Sequence, residues 1–341
     1  MKAIVLHNKG DAEQLKLEEF ETPKISDDEV LVKVKAASVN HLDVWVRMGH
    51  FPINYPIILG CEGAGDIVEI GKNIKNSKIN DKVVVMPSIP CRQCEFCLAG
   101  NDNLCKNAKR IGITVNGCYA EYVKVPQQNL LLMNDKISYE EAASVPITFG
   151  TAWRVLTSLA KIKTNETVLI MAAGSGVGTA AIQIAKLAGA KVIAAAGNDE
   201  KLDSAKELGA DFLVNYYRNQ NFDEEVRYLT NGNGVDVVIE QIGGNILPKS
   251  INCLRKGGRL VTLGTTAGNK IEIDVQHFYR NNLIMLGTSG VTQKEIREVF
   301  ELVKDGKLKP IIDKVFTLKD AALAHKYMEE RRNFGKIVLK P

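Results

Sequence analysis

The chain has 341 residues, 45% hydrophobic and 25% charged, a balance that excludes disorder, collagen-like repeats and a small disulfide-stapled scaffold. This length predicts two or three domains. Lys and Arg number 44 against 40 Asp and Glu, and a net charge of +4 is too weak a field to imply nucleic acid or an anionic membrane as partner.

The amino terminus, MKAIVLHNKG, has an apolar run too short for the core of a signal peptide, so a cytoplasmic protein is expected. Short β-branched runs with turns between them follow: AIVL (3–6), EVLVKVKAAS (29–38), AGDIVEI (64–70) and DKVVVM (81–86). Val30, Val32 and Val34 alternate at period two and predict one strand face. No helical periodicity is evident in this third, which reads as a β-rich, partly open barrel.

From about residue 148 strands and helices alternate. TVLIM (167–171) reads as a buried strand, followed by a glycine turn and the helix AAIQIAKLAGA. The uncharged stretch Thr167 to Ala185 is long enough to span a bilayer, but Gly174, Gly176 and Gly178 interrupt it, so strand, turn and helix is the better reading. KVIAAA (191–196) is a strand and EKLDSAKELGA a helix ending at Gly209. DFLVNY is a strand, and NFDEEVRYLTNG a helix stopping near Gly232. VDVVIE (235–240), the helix ILPKSINCL and GRLVTLG (258–264) complete the run. This order predicts right-handed βαβ units and a parallel sheet. Two amphipathic helices, KEIREVFELVKDGKL and LKDAALAHKYMEE, precede a last strand, KIVLK (336–340).

Two motifs carry chemistry. Ala173-Gly174-Ser175-Gly176-Val177-Gly178 joins a predicted strand to a predicted helix. Glycines there let backbone approach a pyrophosphate, and the helix amino terminus supplies N–H groups to it. Ala173 takes the first glycine position, so the spacing is not strict GxGxxG. The second motif is Cys91-x2-Cys94-x2-Cys97-x7-Cys105. Four clustered thiolates without an export signal favour metal over disulfides, and suit a closed, structural zinc site. Spacing alone leaves an iron–sulfur cluster or free thiols open. Cys118 and Cys253 read as core.

These residues, with Gly60-x-Glu62-Gly63-Ala64-Gly65, Asp81-Lys82-Val83, Gly117-x-Tyr119-Ala120-Glu121-Tyr122 and Gly335-Lys336-Ile337-Val338-Leu339, resemble the medium-chain dehydrogenase/reductase superfamily. That superfamily includes the zinc-containing alcohol dehydrogenases and the quinone oxidoreductases. The resemblance covers essentially the whole chain. It implies an α/β protein with a GroES-like β-rich catalytic domain (1–147 and 290–341) and a Rossmann, doubly wound parallel-sheet domain (148–289). It places the active site in the cleft between them.

Against that family the chain departs at the catalytic zinc. The first ligand Cys is replaced by Asn40, the ligand His by Cys61, and Ile147 falls nearest the last ligand Cys. Leu42 stands where the family has the hydroxyl of its proton relay. The quinone and enone reductase branch, which lacks catalytic zinc and carries Asn at this position near the nicotinamide, is the closer match. Asn40, His41, Asp43, Cys61 and Glu62 are the expected active-site residues. Each also has a plain structural reading: a turn cap, a satisfied histidine, an ion pair or a core thiol. A residual metal site from Cys61, Glu62 and His41 or Asp43 stays open.

The cofactor set implied by the resemblance is Ala173 through Gly178, Asn198, Lys201, Tyr216, Gly264, Thr265, Gly287, Thr288 and Lys336. No acid ends the strand at Ala196, where NAD enzymes hold the ribose 2′-OH, so NADPH is expected over NADH. The expected activity is hydride transfer to an enone or quinone, with one structural zinc per chain. The alternatives are a zinc-dependent alcohol dehydrogenase with altered ligands and an NADPH-binding protein without turnover. The apolar segment Asn282–Thr288 reads as a sheet edge whose pairing gives a homodimer or homotetramer. The partner is a small-molecule substrate, with no nucleic acid and no membrane.

Overall fold

Runs of Val, Ile and Ala bounded by turn residues build the amino-terminal strands. These are β1 (Lys2–Leu6), β2 (Leu15–Glu19), β3 (Glu29–Val39), β4 (Ile57–Ile58), β5 (Gly63–Ile70), β6 (Lys82–Val85), β7 (Ser88–Ile89), β8 (Lys109–Arg110), β9 (Tyr122–Pro126) and β10 (Leu130–Leu132). Between them lie α1 (His41–Arg47) and α2 (Glu95–Leu98), and α3 (Tyr139–Ala143) follows. The computed structural model describes residues 1–341. They form two units, Met1–Gly150 with Gly290–Pro341, and Thr151–Ser289.

The expectation of a start without helices is corrected by α1. Its seven residues are too few to display a helical period, and it buries Asp43, Val44, Val46 and Arg47, a mixed polar and apolar set. Val30, Val32 and Val34 are buried as expected, but Leu31 is buried too, because both faces of β3 are covered here.

A helix, α4 (Thr148–Trp153), runs into a π-helical turn over Arg154–Leu159. The second unit then alternates β11 (Thr167–Ile170), α5 (Gly176–Leu187), β12 (Lys191–Ala196), α6 (Asp199–Glu207), β13 (Phe212–Asn215), α7 (Phe222–Leu229), β14 (Val235–Glu240), α8 (Ile246–Asn252), β15 (Leu254–Thr262), α9 (Val275–Arg280) and β16 (Ile284–Gly287). The sheet order is β13-β12-β11-β14-β15-β16, and every pair is parallel. Strand order reverses beside β11, so the glycine turn that leaves β11 sits at the topological switch point. Val237, Val238 and Ile239 are all fully buried, each stabilising the fold by about 1.5–3 kcal/mol. β15 starts earlier than its sequence pattern predicts: Leu254, read as the end of a helix, pairs with Val235 across a register shift.

The chain closes with α10 (Gln293–Lys304), β17 (Ile312–Thr317), α11 (Ala321–Glu329) and β18 (Lys336–Lys340). β18 pairs with β3, giving a sheet ordered β10-β6-β5-β3-β18-β17 with β9 also on β3. No helix is long and apolar enough to cross a membrane.

Candidate active site

Strand register brings three charged or polar residues together in the first unit. Ile337 pairs with Val39, so Lys336 stands opposite Asn40. Ala37 pairs with Gly63, so Glu62 stands opposite Ser38. All three side chains are buried. Glu62 Oε1 accepts from Asn40 Nδ2 at 2.9 Å, from Lys336 Nζ at 3.1 Å and from the Ser38 hydroxyl. Its other oxygen accepts the Ile147 N–H at 2.7 Å. Lys336 Nζ also donates to Asn40 Oδ1 at 2.7 Å and to the Val39 carbonyl at 3.1 Å. A buried ammonium and a buried carboxylate thus satisfy each other and Asn40 at once, which is what makes their burial tolerable. Lys336, expected among the cofactor contacts, directs its three donors into this network.

A second chain of contacts runs through α1. Asp43 Oδ2 accepts the Asn40 N–H at 2.8 Å and the Tyr119 hydroxyl at 3.2 Å, while Oδ1 accepts from the Cys61 thiol at 3.1 Å. Burial pushes the Asp43 carboxyl up against the lowering effect of these donors, and pushes Cys61 well up. Arg47 is buried and grips Glu329 with two N–H bonds, at 3.1 and 2.6 Å. His41 packs edge-on against Trp45, and burial and the Arg331 charge lower its pKa. The Ile147 side chain is apolar and packs against the core. Tyr119, His325 and Arg47 complete this cluster, and of them only Tyr119 lies in a sequence motif, Gly117-x-Tyr119-Ala120-Glu121-Tyr122.

The four expected metal ligands do gather. The sulfurs of Cys91, Cys94, Cys97 and Cys105 all lie within 4.8 Å of one another. Cys94 and Cys97 are 3.6 Å apart, and Cys91 and Cys97 4.0 Å. A tetrahedral zinc with bonds of about 2.3 Å needs sulfurs about 3.8 Å apart, so the cluster fits that ion. Backbone N–H groups of Cys97 and Lys106 hold the Cys94 thiol down to about 6, and desolvation pushes Cys97 up to about 12. The Cys91 N–H donates to Cys105 Sγ at 3.2 Å.

In the second unit, Ser175 caps α5 by accepting the Gly178 N–H at 2.9 Å. A Cβ on Gly178 would lie 2.6 Å from the Ala172 and Ala173 carbonyls, so only glycine lets the helix start this close to the strand. The Gly176 and Val177 N–H groups belong to the first helical turn, which has no intrahelical acceptors and suits a phosphate. Ala173 is buried, and its N–H bonds to the Ala195 carbonyl at 2.9 Å. Asn198 caps α6 through the Lys201 N–H at 2.9 Å. The Lys201 stem passes over Gly174, and the Tyr217 ring covers Gly197 beside Tyr216. Gly264 abuts the Gln241 carbonyl, and Thr265 follows it just beyond β15. Gly287 ends β16, and Thr288 accepts from Arg154 Nε at 3.1 Å. Arg154, at the start of the π-helical turn, and the buried Glu240, at the end of β14 and pushed up to about 7 by desolvation, lie in no sequence motif.

A doubly wound nucleotide-binding sheet together with a GroES-like barrel that carries a four-cysteine loop defines a dinucleotide-dependent oxidoreductase. The alcohol dehydrogenase GroES-like domain family matches residues 26–135, and the zinc-binding dehydrogenase family matches residues 176–305. An NAD-dependent alcohol dehydrogenase of Sulfolobus acidocaldarius is 36% identical over 100% of this chain and 99% of its own. An acryloyl-coenzyme A reductase of Sulfurisphaera tokodaii is 31% identical over all of both chains. A solved NAD-dependent alcohol dehydrogenase superposes with a TM-score of 0.97 at 40% identity, covering both chains completely. The chain belongs to the medium-chain dehydrogenase/reductase superfamily of zinc-containing alcohol dehydrogenases and their relatives.

Proposed function

We propose that this oxidoreductase reduces activated, α,β-unsaturated carbonyl compounds with NADPH, without a zinc ion on the substrate carbonyl. The observation that carries the reading is the donor set at the family's catalytic-zinc positions. Asn40 offers an amide already held by Glu62 and Lys336, Cys61 a thiol donated to Asp43, and Ile147 no ligand atom. That set does not fit a zinc site, so no step is assigned to a catalytic metal. The four-cysteine loop does fit a structural zinc.

The cofactor is assigned to the glycine turn, with Asn198, Lys201 and Tyr216 toward its adenosine end and Gly264, Thr265, Gly287 and Thr288 toward its nicotinamide end. When bound and reduced, it supplies a hydride. An enone accepts that hydride at its β-carbon, the electron pair moves to the carbonyl oxygen, and the α-carbon later takes a proton from solvent. Such a substrate needs less polarisation than a simple ketone, so the Lewis acid, worth several kcal/mol where present, is dispensable. Asn40 then positions the nicotinamide, and His41 and Asp43 shape the wall beside it. The relative named acryloyl-coenzyme A reductase supports this substrate class.

The test is a screen of enones, enoyl thioesters, quinones, aldehydes and alcohols with both cofactors. Enone or quinone reduction that a chelator does not stop at once is expected, and Asn40→Ala should lower kcat by about 100-fold, with a fall in Tm as well because the buried Lys336 and Glu62 each lose a partner. A second reading, alcohol oxidation, is favoured by the relatives named alcohol dehydrogenases. Zinc-dependent alcohol oxidation with no enone or quinone reduction would establish it instead.

A further inference from the structure

The Asn40 amide is held at both ends by opposite charges. Its oxygen faces the Lys336 ammonium at 2.7 Å, and one of its N–H bonds faces the Glu62 carboxylate at 2.9 Å. An amide in the reverse orientation would turn its oxygen to the carboxylate and its N–H groups to the ammonium, like against like. The partners therefore fix which way the group points. One N–H remains unassigned by this clamp, while the Asn40 side chain also closes a capping box with Asp43 at the start of α1.

We propose that Glu62 and Lys336 are positioning residues that lock the Asn40 amide in one rotational state, so that it presents its second N–H to the reaction. The inference rests on the role given to Asn40 above. The clamp follows from register, since the ends of β3, β5 and β18 are adjacent in one sheet and carry Asn40, Glu62 and Lys336 respectively. Three further contacts hold the clamp itself: the Ser38 hydroxyl and the Ile147 N–H on Glu62, and the Val39 carbonyl on Lys336. Neither clamp residue has to touch substrate or cofactor. Its effect is to remove a competing orientation of the one amide that does, and that effect belongs in kcat rather than in KM.

A pair that merely ties three strands together would predict a loss of Tm and no coupling to Asn40. The distinguishing experiment is a set of double-mutant cycles on enone reduction, using the zinc-loaded protein and saturating NADPH. Glu62→Gln keeps the side-chain volume, and Lys336→Met removes only the charge and its donors. Each is expected to lower kcat about tenfold in the wild-type background with NADPH KM within twofold. In the Asn40→Ala background each is expected to change kcat by less than twofold, because groups that act through one another are not additive. If Lys336→Met does not fold, Glu62→Gln alone decides.

Equal kcat losses in both backgrounds overturn the inference, as does a raised NADPH KM with unchanged kcat, which makes Lys336 a cofactor contact. If Asn40→Ala itself leaves kcat unchanged, it is the role of Asn40 that fails.

Discussion

Tyr119 and His325 meet edge to face, ring centroids 5.9 Å apart, with the hydroxyl 3.4 Å from His325 Nε2. On the other side of the imidazole, Arg47 Nη1 points at Nδ1 from 3.5 Å. Arg47 has only N–H groups to offer, so Nδ1 must accept, and Nε2–H donates to Tyr119, whose own proton goes to Asp43. A protonated ring would set N–H against N–H. Burial first, and then the Arg47 charge, hold His325 down to about 3 from 6.5.

That relationship fixes a pH dependence. Between pH 3 and 6.5 the unfolded chain protonates this histidine and the folded protein does not, so the unfolded state gains as pH falls. Stability from this group is fully present above 6.5 and is lost toward 3. Asp43, raised by burial, works in the opposite direction, but it does so in wild type and variant alike. His325→Gln keeps an acceptor toward Arg47 and a donor toward Tyr119 without the titration. The wild-type-minus-variant unfolding free energy is expected to rise by about 2 kcal/mol between pH 4.5 and 6.5. Urea denaturation at four pH values measures it, and a pH-independent difference refutes the assignment.

The cysteine loop makes a metal prediction. The thiols of Cys91, Cys94, Cys97 and Cys105 are expected to hold one zinc per chain in gently purified protein, and elemental analysis counts it. With all four positions filled by protein, the ion has no place for substrate and serves stability. Cys97→Ser is expected to lower Tm by on the order of 10 °C while leaving the enone KM within twofold. Iron with sulfide, or no metal, would contradict this.

What was legible in the sequence follows from the range of each interaction. The strands 191–196, 235–240 and 336–340 lie where their Val, Ile and Ala runs place them, because a strand covered on both faces needs a continuous apolar run. The four cysteines share one short loop, and their convergence was readable from spacing. Helix α1 was not, since it buries an Asp that also bonds Tyr119 and an Arg that bonds Glu329, both far along the chain. Asn40 and Glu62 were recognisable as site positions, but the ammonium between them comes from Lys336, almost 300 residues away, and only strand register reveals it. Tyr119 and His325 are separated by 206 residues and carry no shared motif.

An edge prediction comes from β16, the last strand of the parallel sheet. Ile284 on it is 49% exposed, and Val275 and Tyr279 on α9 are 65% and 61% exposed. An apolar edge with open backbone groups pairs with another edge unless charge or proline blocks it. A second copy of the same strand satisfies both by two-fold symmetry. A homodimer, or a tetramer of two dimers, is expected at micromolar concentration, and Ile284→Lys should shift the mass toward monomer in light scattering. A monomeric wild-type protein would overturn this.

Cofactor choice turns on the end of β12. The strand stops at Ala196, and the first acid after it, Asp199, is engaged by Asn215 Nδ2 at 2.8 Å and by Arg218 at 3.0 Å. Asp199 thus stands in the first turn of α6 and not at the strand end, which is the place of the acid that holds a ribose 2′-OH in NAD enzymes. Asn198 spends its oxygen on the Lys201 N–H, and Lys201 lies across Gly174, where its ammonium can meet a 2′-phosphate. A charge-assisted bond to phosphate contributes about 1.5–3 kcal/mol, which converts to about ten- to a hundredfold. Lys201→Ala is therefore expected to lower kcat/KM for NADPH by at least tenfold and to leave the value for NADH within twofold. The relatives named NAD-dependent set the opposing expectation. Steady-state kinetics with both cofactors decide between them. Equal or better catalytic efficiency with NADH in the wild type, and no response of NADPH kinetics to Lys201→Ala, would reverse the assignment.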